Sequence, residues 1–385
     1  MNNFRFNAYT DIRFGKNQVE ALPEIMALLG KKVLMVYGGG SIRKNGLYDK
    51  VKELLADFEI FELAGVEPNP KIDSVRAGVK ICKEQNIDVV LAVGGGSTID
   101  ASKVIAGGAY YDEDPWDLVL DNSKIGKVLP IVTVLTLAAT GSEMNKNAVI
   151  SNMETNEKLG TSSHDFIPYA SVCDPTYLFS LPAYQTAAGT ADIMSHIFEQ
   201  YFQHERRAFI SDRFAESLLK ACIKYCPIAL KEPENYEARA NLMWASTQAL
   251  NGLLSAGKGG AWTCHAIEHE LSAFYDITHG VGLAIVTPRW MRHILNEDTV
   301  EKFCEYAANV WGIIEEDSYK CANMAIDATE NFFKECGIPM TLKEVGIDES
   351  KIEVMAEKAV RLGGLANSYV SLTTEDVVAI LKACL

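Results

Sequence analysis

The chain has 385 residues, 48% of them hydrophobic, which suffices for two large buried cores, and its nine cysteines include no Cys-x-x-Cys pair and so read as reduced thiols. With 36 basic against 51 acidic residues the formal charge is −15, which argues against a nucleic-acid or anionic-membrane partner. The opening Met1-Asn-Asn-Phe-Arg-Phe-Asn7 lacks an apolar run behind a basic head, and no later stretch approaches bilayer-spanning length, so the expected compartment is the cytoplasm.

In chain order, Val33–Tyr37 is a short apolar run that ends in Gly38-Gly39-Gly40-Ser41. Apolar residues at helical spacing follow from Leu47 to Phe58, then a strand-like Glu59–Leu63 closed by Pro68-Asn69-Pro70. Ile72–Gln85 reads as a helix, and Val89–Val93 as a strand covered on both faces. Val128–Val134 supplies another strand. Strand and helix alternating at this spacing predict a doubly wound, Rossmann-like α/β domain over residues 1–180. After Pro182 the texture changes. Phe209–Lys231, Ala238–Leu254, Val300–Trp311, Cys321–Cys336 and Ile352–Leu362 all carry helical periodicity, which predicts an all-α domain over 181–385.

Three polar loops are expected at the ends of successive strands of the first domain. Gly94-Gly95-Gly96-Ser97 opens a helix, with Ser97 read as its N-cap and Asp100 as the third residue of a capping box. Gly38–Ser41 is its counterpart after the first strand, and Thr136-Leu-Ala-Ala-Thr140-Gly-Ser-Glu-Met-Asn145 follows the last. Neither glycine turn fits Gly-x-Gly-x-x-Gly, because Arg43 and Ile99 occupy the third glycine position. Glycine-rich α/β turns are common for tight geometry alone, but three such loops at one sheet edge are what a bound dinucleotide requires.

The second half concentrates metal-ligand chemistry. Three of the seven histidines, His265, His269 and His279, fall within fifteen residues, and Asp192 and His196 lie one turn apart on a predicted helix. Imidazole with carboxylate suits Zn(II) or Fe(II). Each residue also has a plainer reading: Asp192 as a helix cap after Gly189-Thr-Ala191, or His265 and His269 as a solvated pair. His265-Ala-Ile-Glu268-His269 further matches the inverted zinc-peptidase pattern His-x-x-Glu-His, with both histidines as ligands and Glu268 as base. A peptidase has no use for nucleotide loops, which ranks that reading second.

The stretches Gly94–Asp100, Thr140-Gly-Ser142, Asp174 through Pro182 to Asp192 and Glu199, and Gly260 through His265 and His269 to Gly280 resemble the iron-containing (group III) alcohol dehydrogenases, butanol dehydrogenase or NADPH-dependent aldehyde reductase type. The resemblance covers nearly the whole chain. It implies a dehydroquinate synthase-like architecture, with the active site in a cleft between the two domains and a homodimer for which Phe4–Phe14 offers a pairing strand. It implies Asp192, His196, His265 and His279 as ligands of one divalent ion, Fe(II) first and Zn(II) as the alternative, with His269 beside substrate and nicotinamide as a proton relay. It places Asn69, Ser97, Thr136, Thr140, Asn147 and Lys158 along the dinucleotide, joining Gly38, Gly39, Ser41, Gly94, Gly95, Gly96, Asp100 and Asn145 from the loops. Relatives that prefer NAD carry an aspartate at the position of Gly39, so NADP(H) is expected here in preference to NAD(H). The implied reaction is reversible NADPH-linked reduction of small aldehydes such as butanal to primary alcohols. A same-fold lyase that recycles its nucleotide is a further alternative.

Overall fold

The computed structural model describes all 385 residues, and the chain divides into two compact units. One comprises Asn7–Leu181 with Pro233–Thr247; the other comprises Met1–Phe6, Pro182–Glu232 and Gln248–Leu385.

The first unit holds a six-stranded parallel sheet of β1 (Asp11–Phe14), β2 (Lys32–Tyr37), β3 (Glu59–Leu63), β4 (Val89–Gly94), β5 (Ile131–Leu135) and β8 (Ala170–Cys173), in the order β1-β8-β5-β4-β2-β3. Between β5 and β8 lies an antiparallel hairpin, β6 (Asn147–Asn152) and β7 (Glu157–Ser162). Successive side chains along a strand point to opposite faces. Val33, Met35, Val89 and Leu91 accordingly pack with Leu22, Met26, Val51 and Leu55, whereas Leu34, Val36 and Val90 pack with Val75, Val79, Val104 and Ile105. Each of these buried side chains contributes about 1.5–3 kcal/mol of hydrophobic stabilisation. Burial on both faces is why these strands read as unbroken apolar runs.

The strand order also fixes where a ligand fits. From β2 the chain moves outward to β3, then returns to β4 on the other side of β2 and continues to β5. The C-terminal ends of β2, β4 and β5 therefore open on one edge around a reversal of direction, the place where doubly wound sheets bind ligands.

Several expected boundaries shift for local reasons. The strand read from Val128 begins at Ile131, because Pro130 has no amide to give the ladder, although its carbonyl accepts from Val90 N at 3.0 Å. The helix read from Ala238 to Leu254 spans Tyr236–Ala249, and a loop carrying Gly252 and Gly257, both with positive φ, follows it. Ser97 does not cap its helix. The helix is Gly96–Gly108 with Gly95 as N-cap and no side-chain cap, because Ser142 Oγ and Val149 N take up the Asp100 carboxylate at 2.5 and 2.9 Å. Asp192 lies in the middle of the helix Ala183–Tyr201, which rules out the capping role.

The second unit is helical, with Ala183–Tyr201, Phe209–Lys231, Thr263–Tyr275, His279–His293, Ser318–Glu335 and Ile352–Gly363 as its longer members. No helix of the chain is long and apolar enough to cross a membrane. One crossing determines the rest of the site. Gly280, in the first turn of His279–His293, lies so close to Ala183–Tyr201 that an added Cβ would sit 1.9 Å from the Ala188 carbonyl oxygen. Only glycine lets His279 approach Asp192. Gly280→Ala should cost about 1–3 kcal/mol of stability by overpacking, read as a lower urea midpoint at unchanged slope.

Candidate active site

The nucleotide-type loops form one connected construction. The Gly96 position would place a Cβ 2.4 Å from the Thr140 side chain, so the loops after β4 and β5 touch there. Lys103, one helical turn past Asp100, is fully buried and donates to Ser142 Oγ, Asn145 O, Asn145 Oδ1 and Asn147 O at 2.7–3.0 Å. Burial works against its charge and brings its pKa down to about 8, with Asp100 and Glu143 opposing the fall. Asn145 is likewise taken up internally, accepting from Asn147 N and donating to Thr140 O. Asp100 and Asn145 thus hold the loops in shape.

The other expected cofactor residues come together through the backbone. Gly65 N and Val66 N donate to the carbonyls of Gly38 and Tyr37, which brings the segment carrying Asn69 beside the first glycine turn. Asn69 has φ 48° and is buried. Ser151 N donates to Pro70 O at 2.9 Å, and Ser151 pairs with Lys158 across the β6–β7 hairpin, so Asn147 and Lys158 join the same edge. Lys158 is buried. Thr136 is buried at the end of β5. The first turn of Gly96–Gly108, where Ser97 sits, receives no side-chain cap from its N-cap residue Gly95, and a helix N-terminus of this kind favours an anion.

At the first turn, Gly39 is exposed and nothing lies within 4 Å of where its Cβ would be, while Ser41 is exposed at the start of a single helical turn. Arg43 nearby donates to Tyr37 Oη at 2.6 Å and stacks 3.7 Å above the Tyr48 ring. Glu62 accepts from Tyr37, Tyr48 and Lys52, and although burial opposes its ionisation these bonds keep its pKa below the usual range.

In the helical unit the imidazoles converge on one carboxylate oxygen. Asp192 Oδ1 lies 3.5 Å from His196 Nε2, 3.8 Å from His265 Nε2 and 3.7 Å from His279 Nε2. These separations exceed a hydrogen bond, and Asp192 Oδ1 and His265 Nε2 are buried without hydrogen-bond partners. A tetrahedral ion with ligands at about 2.0–2.1 Å sets its ligand atoms about 3.4 Å apart. The ligand atoms of Asp192, His265 and His279 lie within 4.8 Å of one another and could hold a cation, while His196 joins them through Asp192 Oδ1. Two glutamates orient the rings. Glu199 Oε1 faces His265 Nδ1 at 3.2 Å and also accepts from His265 N, and Glu268 Oε2 pairs with His279 Nδ1. A carboxylate on Nδ1 fixes the tautomer and directs Nε2 inward. His269 stands beside this group, its ring 5.7 Å from that of His279 and 6.3 Å from that of His265.

Glu268 has no signal in spacing except as a peptidase base, and the structure removes that role: it is fully buried and bonded to His279 and Ser272. Lys103 gave no signal either, since its partners lie forty residues away.

A doubly wound sheet with a glycine-loop edge, carried with a helical unit that gathers a carboxylate and three imidazoles, defines a metal- and nucleotide-dependent oxidoreductase. The chain belongs to the iron-containing alcohol dehydrogenase family, whose first domain matches residues 10–175 and whose C-terminal domain matches residues 186–385. It is 56% identical to NADH-dependent butanol dehydrogenase A of Clostridium acetobutylicum over 99% of both chains, and 42% identical to the NADPH-dependent aldehyde reductase YqhD of Escherichia coli over 93% of both. The crystal structure of NADH-dependent butanol dehydrogenase A from Thermotoga maritima superposes with a TM-score of 0.95 at 41% identity, covering 100% of this chain and 99% of that one. The protein is therefore an alcohol/aldehyde oxidoreductase of a family that uses a metal and a nicotinamide cofactor; the peptidase and lyase alternatives find no support.

In the metal-free protein, burial opposes protonation of His265, but Asp192 and Glu199 outweigh it and lift its pKa to about 9. The raised value means that protonated His265 stabilises the fold below the unfolded value near 6.5, and that this contribution disappears as pH rises through about 9. Histidine-selective NMR of metal-free protein should show the His265 ring titrating near pH 9, and Asp192→Asn should bring that midpoint down.

Proposed function

We propose that the protein reduces small aldehydes, butanal among them, to primary alcohols with NADPH in preference to NADH, using one divalent ion held by Asp192, His196, His265 and His279. The observation that carries the reading is the set of three Nε2 atoms 3.5–3.8 Å from one buried, unpartnered carboxylate oxygen. Iron is the expected ion and zinc the alternative, since this donor set accepts both. When bound, the ion supplies Lewis acidity toward a carbonyl oxygen and the nicotinamide supplies the hydride.

The chain's own groups do the rest. Glu199 and Glu268 hold His265 and His279 with Nε2 inward. His269, partly exposed and not among the groups converging on Asp192, is the proton donor to the product oxygen. The uncapped first turn of Gly96–Gly108 receives the pyrophosphate, while Asn69, Thr136, Thr140, Asn147 and Lys158 supply polar contacts beside it. The preference for NADPH rests on Gly39, which places no carboxylate against a 2′-phosphate, and on Glu62 being matched by Lys52 and Arg43. The names of the relatives point both ways, since the Clostridium protein is NADH-dependent and YqhD is NADPH-dependent. The outer edge of β1, at the end of the sheet, supports a homodimer.

NADPH absorbance, followed with butanal and metal-stripped protein, should fall only after Fe(II) or Zn(II) is added; silence with both metals would overturn the substrate assignment. His265→Ala should lose both metal and turnover. His269→Ala should keep the metal and slow turnover by about 10²–10⁴-fold, and loss of metal in both variants would remove the division of roles. Gly39→Asp should move the NADPH-to-NADH ratio of kcat/KM toward NADH by about tenfold or more, because a like charge beside the 2′-phosphate costs over about 1.4 kcal/mol.

A further inference from the structure

The helix that carries His265 is entered from a long loop, residues 250–262, which contains Gly252, Gly257, Gly259 and Gly260. Three of these glycines have positive φ, so the backbone there has little stiffness of its own. Besides backbone bonds from Asn2 N to Gly257 O and from Ala261 N to Asn367 O, the loop is tied in its middle and at both flanks by the last turn of the helix that carries Asp192 and His196. At its start, Gln200 Nε2 donates to Ala249 O at 2.8 Å while also bonding His196 O. At its end, Thr263 N and His265 N donate to the Glu199 carboxylate at 2.8 and 2.9 Å. In the middle the only charged anchor is Lys258, whose ammonium donates to Gln200 O at 2.8 Å and pairs with Asp212. Its side chain is only 2% exposed.

Asp212 is itself held from the other side by Lys302 at 2.7 Å, and Lys302 also reaches Glu305 and lies 3.8 Å above the Tyr201 ring. Lys258 is thus buried in a preformed, charge-matched socket and not free to swing out. Four residues further on stands Trp262. Its indole meets the His265 ring edge-to-face at 5.0 Å and the His196 ring at 5.8 Å. Between anchor and indole lie only Gly259, Gly260 and Ala261, and Gly260 runs so close to Gln203 that a Cβ would clash with its amide.

We propose that Lys258 is a positioning residue: locked between Asp212 and the Gln200 carbonyl, it holds the glycine stretch that presses Trp262 against His196 and His265, and so keeps both imidazoles in the orientation that receives the metal. The metal half of this inference rests on the proposed ligand set; the placement of Trp262 does not.

The test uses the full-length protein with and without metal. Exposure of Trp262 is read as the acrylamide quenching of each protein less that of its Trp262→Phe counterpart. In metal-free Lys258→Met this quenching should rise about threefold, as expected when an anchored segment opens locally, and Lys258→Arg should restore it. Zn(II) affinity should fall about tenfold in Lys258→Met and in Trp262→Ala, and no further in the double variant, because both changes act through one contact. Unchanged Trp262 quenching in Lys258→Met, or additive losses of Zn(II) affinity, overturns the proposal. Should Lys258→Met not fold, Asp212→Asn carries the same quenching test with the same two readings. A parent protein that binds no Zn(II) or Fe(II) would remove the metal-site reading, while the quenching comparison would still decide the role of Lys258.

Discussion

The cluster of imidazoles in the helical unit is arranged around one buried carboxylate. Burial alone would raise the pKa of Asp192, yet His196, His279 and His265 around it hold the group well below the usual carboxylate range. A carboxylate that stays ionised in a dry interior needs positive charge within reach, and the rings whose Nε2 atoms surround it, with the pKa of His265 raised to about 9, provide it when no ion is present. The same atoms offer lone pairs to a cation when one is. Three helices have to meet for this: Ala183–Tyr201 brings Asp192 and His196, Thr263–Tyr275 brings His265, and His279–His293 brings His279. Their meeting point is set by backbone contact at Gly280 and by the paired glutamates, so the geometry is built into the packing and not into flexible side chains.

The first unit uses a different device for a similar purpose. Loops at a sheet edge have few neighbours to hold them, and here a buried ammonium does so. Lys103 distributes its hydrogen bonds over Ser142, Asn145 and Asn147, joining the helix after β4 to the loop after β5. With Asp100 holding Ser142 and Val149, the polar atoms of this construction satisfy one another, and the first-turn amides of Gly96–Gly108 carry no side-chain cap. The glycines at 94–96 are needed for packing against Thr98, Leu137 and Thr140 as much as for room at the edge. The tight-geometry reading of a glycine-rich turn therefore holds in these three residues.

Much of the fold was legible because burial imposes period. The apolar runs at Val33–Tyr37 and Val89–Val93 and the helical spacing at Ile72–Gln85 and Phe209–Lys231 reappear as elements with nearly the same limits. The β6–β7 hairpin was not legible. Its residues, rich in Asn, Glu, Lys and Gly, carry little strand pattern, and its place is set by contacts to Pro70 and to helix Gly96–Gly108. Ser97 has the form of a cap, but Asp100, its capping-box partner by spacing, accepts from Ser142, a tertiary contact that no local pattern announces. In the candidate site the clustering of Asp192, His196, His265 and His279 could be read from residue type and spacing with the help of family resemblance. The partners Glu199 and Glu268 could not, because each acts across a helix boundary on a ring that only packing brings near.

Gly39 stands apart from these constraints. Its φ is outside the left-handed region, it is exposed, and no atom occupies the space where a side chain would begin. Replacing it asks nothing of the core, of Lys103 or of the imidazole cluster. Most positions in these loops are bound to their neighbours, so a change there alters stability and ligand contact together. At position 39 no such coupling exists, and a lineage with this fold can sample different side chains at this sheet edge one mutation at a time without first acquiring a compensating change elsewhere.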